Sequence, residues 1–183
     1  MEIGTVDECY RLFGAASVDT ASFFVPPCPA PRMDGPTPPA AVDEHWREVA
    51  DDAEETAAEY REAGWETLVV HPGDVTPRDG DPYGLDVLAP GSEFEALQEL
   101  VADVTFDTSH VYRADHGGVR FFIVANEATA DEVAVVVPAY LADDRADGVR
   151  ERALEEGVMY THVRPLSADA RVTFAHEDPE LFF

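Results

Sequence analysis

Lysine is absent from this 183-residue chain: all 12 basic residues are arginine, against 38 aspartates and glutamates, for a formal net charge of −26. A soluble domain of this length ordinarily carries on the order of ten lysines. Their absence excludes whole classes of chemistry. Schiff-base formation, pyridoxal-phosphate anchoring and the phosphate-loop ATPase site all need an ammonium on a flexible stem. A protein-kinase ATP site and nucleases with a catalytic lysine are excluded on the same ground. Arginine substitutes poorly, because it stays charged and presents a planar fork. No side-chain amine is available for isopeptide conjugation. No stretch carries the positive footprint that a phosphate backbone needs, so direct binding of duplex DNA or RNA is not expected.

Cysteine is scarce too. Cys9 and Cys28 are the only two, without C-x-x-C spacing or a histidine at ligand distance, so neither a zinc site nor a disulfide framework is expected. Long apolar runs are missing: none approaches the roughly 18 residues of a membrane span. No basic start followed by an apolar stretch marks a signal peptide. These absences lead to the expectation of a cytoplasmic protein with no predicted cofactor and no membrane partner.

What is abundant is acid. Such a surface repels itself in dilute buffer, but at molar salt the Debye length shrinks to roughly 3 Å and the repulsion is screened. The composition therefore predicts a cytosolic protein of a salt-accumulating halophile, folded in molar salt and unfolding when salt is removed.

Proline and glycine punctuate the chain. Residues 26–39 read PPCPAPRMDGPTPP, which excludes regular secondary structure there. The expected organisation is an N-terminal extension and linker over residues 1–41, with translation from Met33 as an alternative, followed by one domain over 42–183. Within it, Val42, Trp46, Val49, Ala53, Ala57 and Tyr60 form one stripe at helical spacing, with Asp43 as N-cap and Gly64 as stop. Strands are predicted at 65–71 and 84–89, with a loop between them. Ser92 and Glu95 mark a capping box before a helix at 93–102. Strands at 108–114 and 119–126 flank a turn signal, and 132–137 is apolar enough to be a central strand covered on both faces. A helix at 144–156 and strands at 158–164 and 171–176 complete an α+β domain: a largely antiparallel sheet of five to six strands under two to three helices.

Four groups of residues carry candidate chemistry. A hairpin turn centred on His116-Gly117 opposes Arg113 to Arg120. Two like charges face to face cost stability, so neighbouring acids or an anionic ligand should compensate, with Arg164 and Arg171 as further contributors to an anion site. His71 and Asp74, at a strand end, form a candidate general base with its orienting carboxylate, or simply a turn. Asp79, Asp81 and Asp86 imitate the start of a calcium loop that then fails, with Tyr83 at its fifth position and Pro90 at its twelfth. Strand alternation puts His162 on one face with Tyr160 and Arg164, where Arg171 or His176 would extend a polar patch. No nucleophile elbow is present.

The segments HWREVADDAEETAAEYREAGWETLVVHPGD, EVAVVVPAYL, HVRPLS and the final DPELFF resemble a haloarchaeal family of unknown function. The resemblance spans about residues 43–183; it supports α+β packing and implies no activity. The last residues, Leu181, Phe182 and Phe183, resemble the hydrophobic–aromatic tail with which archaeal proteasome activators dock. A tail folded back into a groove of its own domain is the first expectation for such an apolar end. The leading expectation is a non-enzymatic binding or regulatory domain with a protein partner. The second is a small hydrolase or metal-assisted enzyme built on His71 and Asp74, and the third a proteasome-associated protein docking through its tail.

Overall fold

A computed structural model describes residues 40–167 and 170–183, with side chains from His45 onward. Cys9, Cys28, Met33 and the proline-rich segment lie outside the described residues. The elements in chain order are α1 (Ala40–Glu62), β1 (Glu66–Val69), β2 (Asp74–Arg78), β3 (Gly84–Leu88), α2 (Gly91–Val101), β4 (Thr108–His116), β5 (Val119–Ala128), β6 (Val133–Ala142), α3 (Asp147–Glu156), β7 (Met159–Arg164) and β8 (Val172–His176). A 3-10 turn, Pro179–Phe182, ends the chain.

The fold is α+β and mostly antiparallel, but the strands divide into two mixed sheets, ordered β1-β6-β5-β4 and β2-β3-β7-β8. The parallel pairs are β1 with β6 and β3 with β7. Period-two alternation along β5 explains the layering. Phe121, Ile123 and Ala125 pack on Val49, Ala53 and Ala57 of α1. Phe122 and Val124 point the other way, into a larger core with Leu85, Val87, Met159, Val163 and Phe174 of the second sheet, Phe94 and Leu97 of α2, and Val149 and Ala153 of α3. The first sheet is thus covered on both faces, as the unbroken apolar run of β6 requires.

Four local expectations are corrected. The loop expected between the first two strands contains β2, with Val75 buried and Pro77 tolerated because β2 is a sheet edge. The central strand does not stop before Pro138; β6 continues to Ala142. Its partner β1 registers only with Val133–Val136, so Pro138 lies where that side of β6 has become an edge. Asp43 falls inside α1, and α2 starts at Gly91 after Pro90 with no side-chain cap, so neither Asp43 nor Ser92 is an N-cap. The hairpin turns on Gly117-Gly118, whose φ values are 61° and 78°. Two consecutive positive φ angles suit two glycines better than His-Gly. The register therefore places Arg113 opposite Phe122 and Arg120 opposite Asp115, so the arginines do not face each other.

Candidate functional site

The outer face of the second sheet gathers polar side chains that its core face cannot hold. Register aligns Thr76, Asp86, His162 and Thr173 in one row across β2, β3, β7 and β8. Asp86 is only 7% exposed. Arg164 Nε donates to both of its oxygens, at 2.9 and 3.0 Å, and Arg78 Nη1 lies 3.7 Å away. Beside it His162 is buried, with Nε2 2.8 Å from the Tyr83 carbonyl and Nδ1 2.9 Å from Thr173 Oγ1. Those partners make Nε2 the donor and Nδ1 the acceptor of the Thr173 hydroxyl. Burial lowers the His162 pKa, and the charges of Arg171 and Arg78 push the same way. Arg78 and Arg164 thus share one carboxylate, with Arg171 close enough to act on the neighbouring imidazole.

A second constellation lies where the two sheets meet at their free edges. His176 on β8 sits between Ser109 Oγ, 3.0 Å from Nδ1, and Thr161 Oγ1, 3.0 Å from Nε2. Its ring also packs on Phe182, with centroids 5.1 Å apart. Burial alone pushes its pKa down to about 4. A Ser–His pair suggests nucleophilic catalysis, but a base this weak, with no carboxylate to stabilise an imidazolium, takes a proton poorly at neutral pH. The pair instead ties β4 to β8. Ser109 and His176 border an open cleft of about 740 Å³ between those two edges.

The remaining candidates are dispersed. His71 is held by two helices: Nε2 lies 3.2 Å from Glu54 and Nδ1 3.1 Å from Glu93, which also accepts the His71 main-chain N–H at 2.8 Å. Asp74 accepts instead from the Tyr140 hydroxyl, at 3.3 Å. Asp81 pairs with Arg152, which also donates to the Asp79 carbonyl and stacks over the Tyr83 ring at 4.6 Å. The calcium-loop acids are thus split, Asp79 and Asp81 toward α3 and Asp86 toward Arg164. Among the described residues no three His, Cys, Asp or Glu side chains are placed to hold a metal ion. Arg113 clamps Asp115 and donates to the Phe183 main-chain oxygen at 2.7 Å. Arg120 reaches Asp143 at 2.9 Å. Phe182 is fully buried against Phe122, while Leu181 stays 44% exposed.

Residues 36–183 match the model of a family of unknown function, DUF7529. The chain belongs to this family. Neither a curated protein nor a solved structure is significantly similar to it. The match begins a few residues before α1 and takes in every strand and helix described above, so both polar constellations belong to the family domain.

Within that domain, Arg78 and Ser109 were not marked by their spacing, and His176, expected on the His162 face, lies on the opposite one: it registers with Met159, whereas His162 registers with Thr173. Arg78 was hidden because its segment reads as a loop. Ser109 and His176 are far apart in sequence, and only the meeting of the two sheet edges unites them. Tyr60, His110 and Glu127 form a further cluster: Glu127 is almost buried, accepts from the Tyr60 hydroxyl and lies 3.3 Å from His110 Nε2. Burial and then the Glu127 carboxylate raise the Tyr60 pKa. Tyr60 carried a signal as the last aromatic of the α1 stripe, but nothing in the sequence pairs it with Glu127.

Proposed function

We propose that this family domain is a non-enzymatic binding domain, and that the outer face of its second sheet receives an anionic group, carboxylate or phosphate. The supporting observation is that Arg78 and Arg164 share the single carboxylate of Asp86 in a chain where acids outnumber bases about threefold. Where acid is in such surplus, two guanidiniums on one carboxylate leave donors unspent. Arg164 commits Nε to Asp86 and Nη1, at 3.4 Å, to the Pro165 carbonyl, so Nη2 and the loosely held Arg78 guanidinium keep donors for an oxyanion. Arg171, a candidate from the same reading, lies within electrostatic reach of His162 on this face.

A binding role also fits the state of the histidines. Burial keeps His162 and His176 neutral, each with a hydrogen-bond partner on both ring nitrogens. Neither is free to exchange protons with a substrate.

Calorimetric titration with citrate and with inorganic phosphate in molar potassium chloride tests the proposal, the two probes separating carboxylate from phosphate preference. Saturable binding should weaken by about tenfold in Arg78→Gln. That substitution leaves Arg164 on Asp86, and Arg61→Gln, on α1 against the first sheet, serves as control. No binding of either anion, or equal binding by Arg78→Gln, overturns it.

A further inference from the structure

The cleft between the β4 and β8 edges has features that the anion site does not explain. Both strands end their sheets, so each has one row of main-chain N–H and C=O groups without a strand partner among the described residues. Exposed edges of this kind accept an added strand. The cleft wall on the β8 side is continuous from Val172 to Asp178, and the opposite wall is the segment entering β4. The five residues of β8 give an edge of roughly 17 Å, at about 3.3 Å per residue.

The lining has two characters. Phe106 and Phe174, in edge contact at 5.1 Å between centroids, border it together with Leu181. Leu181 is one of the few large apolar side chains left exposed, and it faces this cleft. Among the described residues, the ionisable ones of the lining other than buried His176 are all acids: Asp107, Glu177 and Asp178. Asp107 is fixed by Thr129, whose hydroxyl and main-chain N–H donate to its two oxygens at 2.5 and 3.2 Å, lowering its pKa and keeping it ionised. Among the described residues no arginine borders the cleft.

We infer that this cleft binds an extended peptide of alternating apolar and basic residues, paired by its main chain to β8. Alternation follows from strand geometry: one side of the added strand faces Phe106, Phe174 and Leu181, and the other faces the acids. Main-chain pairing supplies affinity, and the two kinds of lining supply the choice of sequence. The occupant must be basic, because Asp107, Glu177 and Asp178 line the cleft at contact range, where salt screens least.

A displayed library of random decapeptides panned against the folded domain in molar potassium chloride tests this, with Leu181→Arg as counter-target. Circular dichroism confirms that the variant is folded, and the exposure of Leu181 favours that outcome. Enriched peptides should alternate apolar and basic residues. They should lose about tenfold in affinity on main-chain N-methylation, and about as much toward Leu181→Arg. Three results overturn the inference: no enrichment over the variant, enrichment of sequences without basic residues, or binding indifferent to N-methylation. Anion binding at Arg78 is read in a separate titration, so either proposal can fail alone.

Discussion

Replacing His176 with glutamine should alter how stability depends on pH, not only how large it is. His176 is 1% exposed and its ring nitrogens contact only two hydroxyls. Burial is the sole cause that lowers its pKa from 6.5 to about 4. In the unfolded chain the imidazole titrates at its ordinary value, so below pH 6.5 the unfolded state takes up a proton that the folded state refuses. Stability from this residue is therefore complete above pH 6.5, declines through the window down to about pH 4, and changes no further below it. At about 1.4 kcal/mol for each tenfold change in proton affinity, the loss across the window is roughly 3 kcal/mol.

Surface carboxylates titrate over the lower part of the same range and would obscure the effect in the native protein alone. They titrate alike in both proteins, so the informative quantity is the difference between native protein and His176→Gln. Denaturant unfolding at fixed molar potassium chloride, repeated at half-unit pH steps, gives that difference. It should be constant above pH 7 and should fall, in disfavour of the native protein, by roughly 3 kcal/mol toward pH 4. Parallel curves for the two proteins would refute the placement of His176 between the sheets.

Other outcomes are open to simpler assays. Phe182→Ala empties a fully buried site against Phe122 and should cost about 3 to 5 kcal/mol by equilibrium unfolding; a tail held outside the domain predicts almost no loss. Gly84→Ala would set a Cβ 2.2 Å from the Tyr160 carbonyl oxygen at φ +133°, so β3 and β7 must part, and a thermal scan should show a loss of several degrees or no folded protein. Arg164→Ala leaves Asp86 with only the distant Arg78 and should cost roughly 2 kcal/mol, less than a fully buried pair because Arg164 is partly exposed. Dialysis from molar salt into dilute buffer should unfold the domain reversibly, as the net charge of −26 implies; an unchanged circular dichroism spectrum would contradict the halophile reading.

Where the sequence pattern was strong, the fold was legible. The α1 stripe, the doubly covered β6, the Gly64 stop at φ +94° and the closing of α3 at Gly157 all follow from periodicity and from glycine. What escaped depends on contacts between distant segments. β2 looks like a turn because Pro77 and its acids matter only once it is known to be an edge strand. The hairpin register hung on whether His116 or Gly118 enters the turn, and that one-residue choice moved Arg120 from Arg113 to Asp115. For the sites, Arg164 and Asp86 were both singled out, for different chemistries, yet each is the other's partner. Two residues marked for different chemistries thus cancel much of each other's charge.

Four of the arginines then have a common use. Arg164 joins β7 to β3, Arg152 joins α3 to the loop before β3, Arg120 joins β5 to the turn after β6, and Arg113 joins β4 to the chain end. Each holds together segments distant in sequence, through a planar group with donors on several sides. Exposed pairs of this kind contribute little individually, about 0 to 1 kcal/mol. Their effect is on geometry: in a surface dominated by mutually repelling acids, a fixed guanidinium is what brings two carboxylate-bearing segments close. Arg78 departs from the pattern, reaching only 3.7 Å toward an Asp86 that Arg164 already holds. A cation left with so weak a structural contact keeps donors with which to meet a ligand.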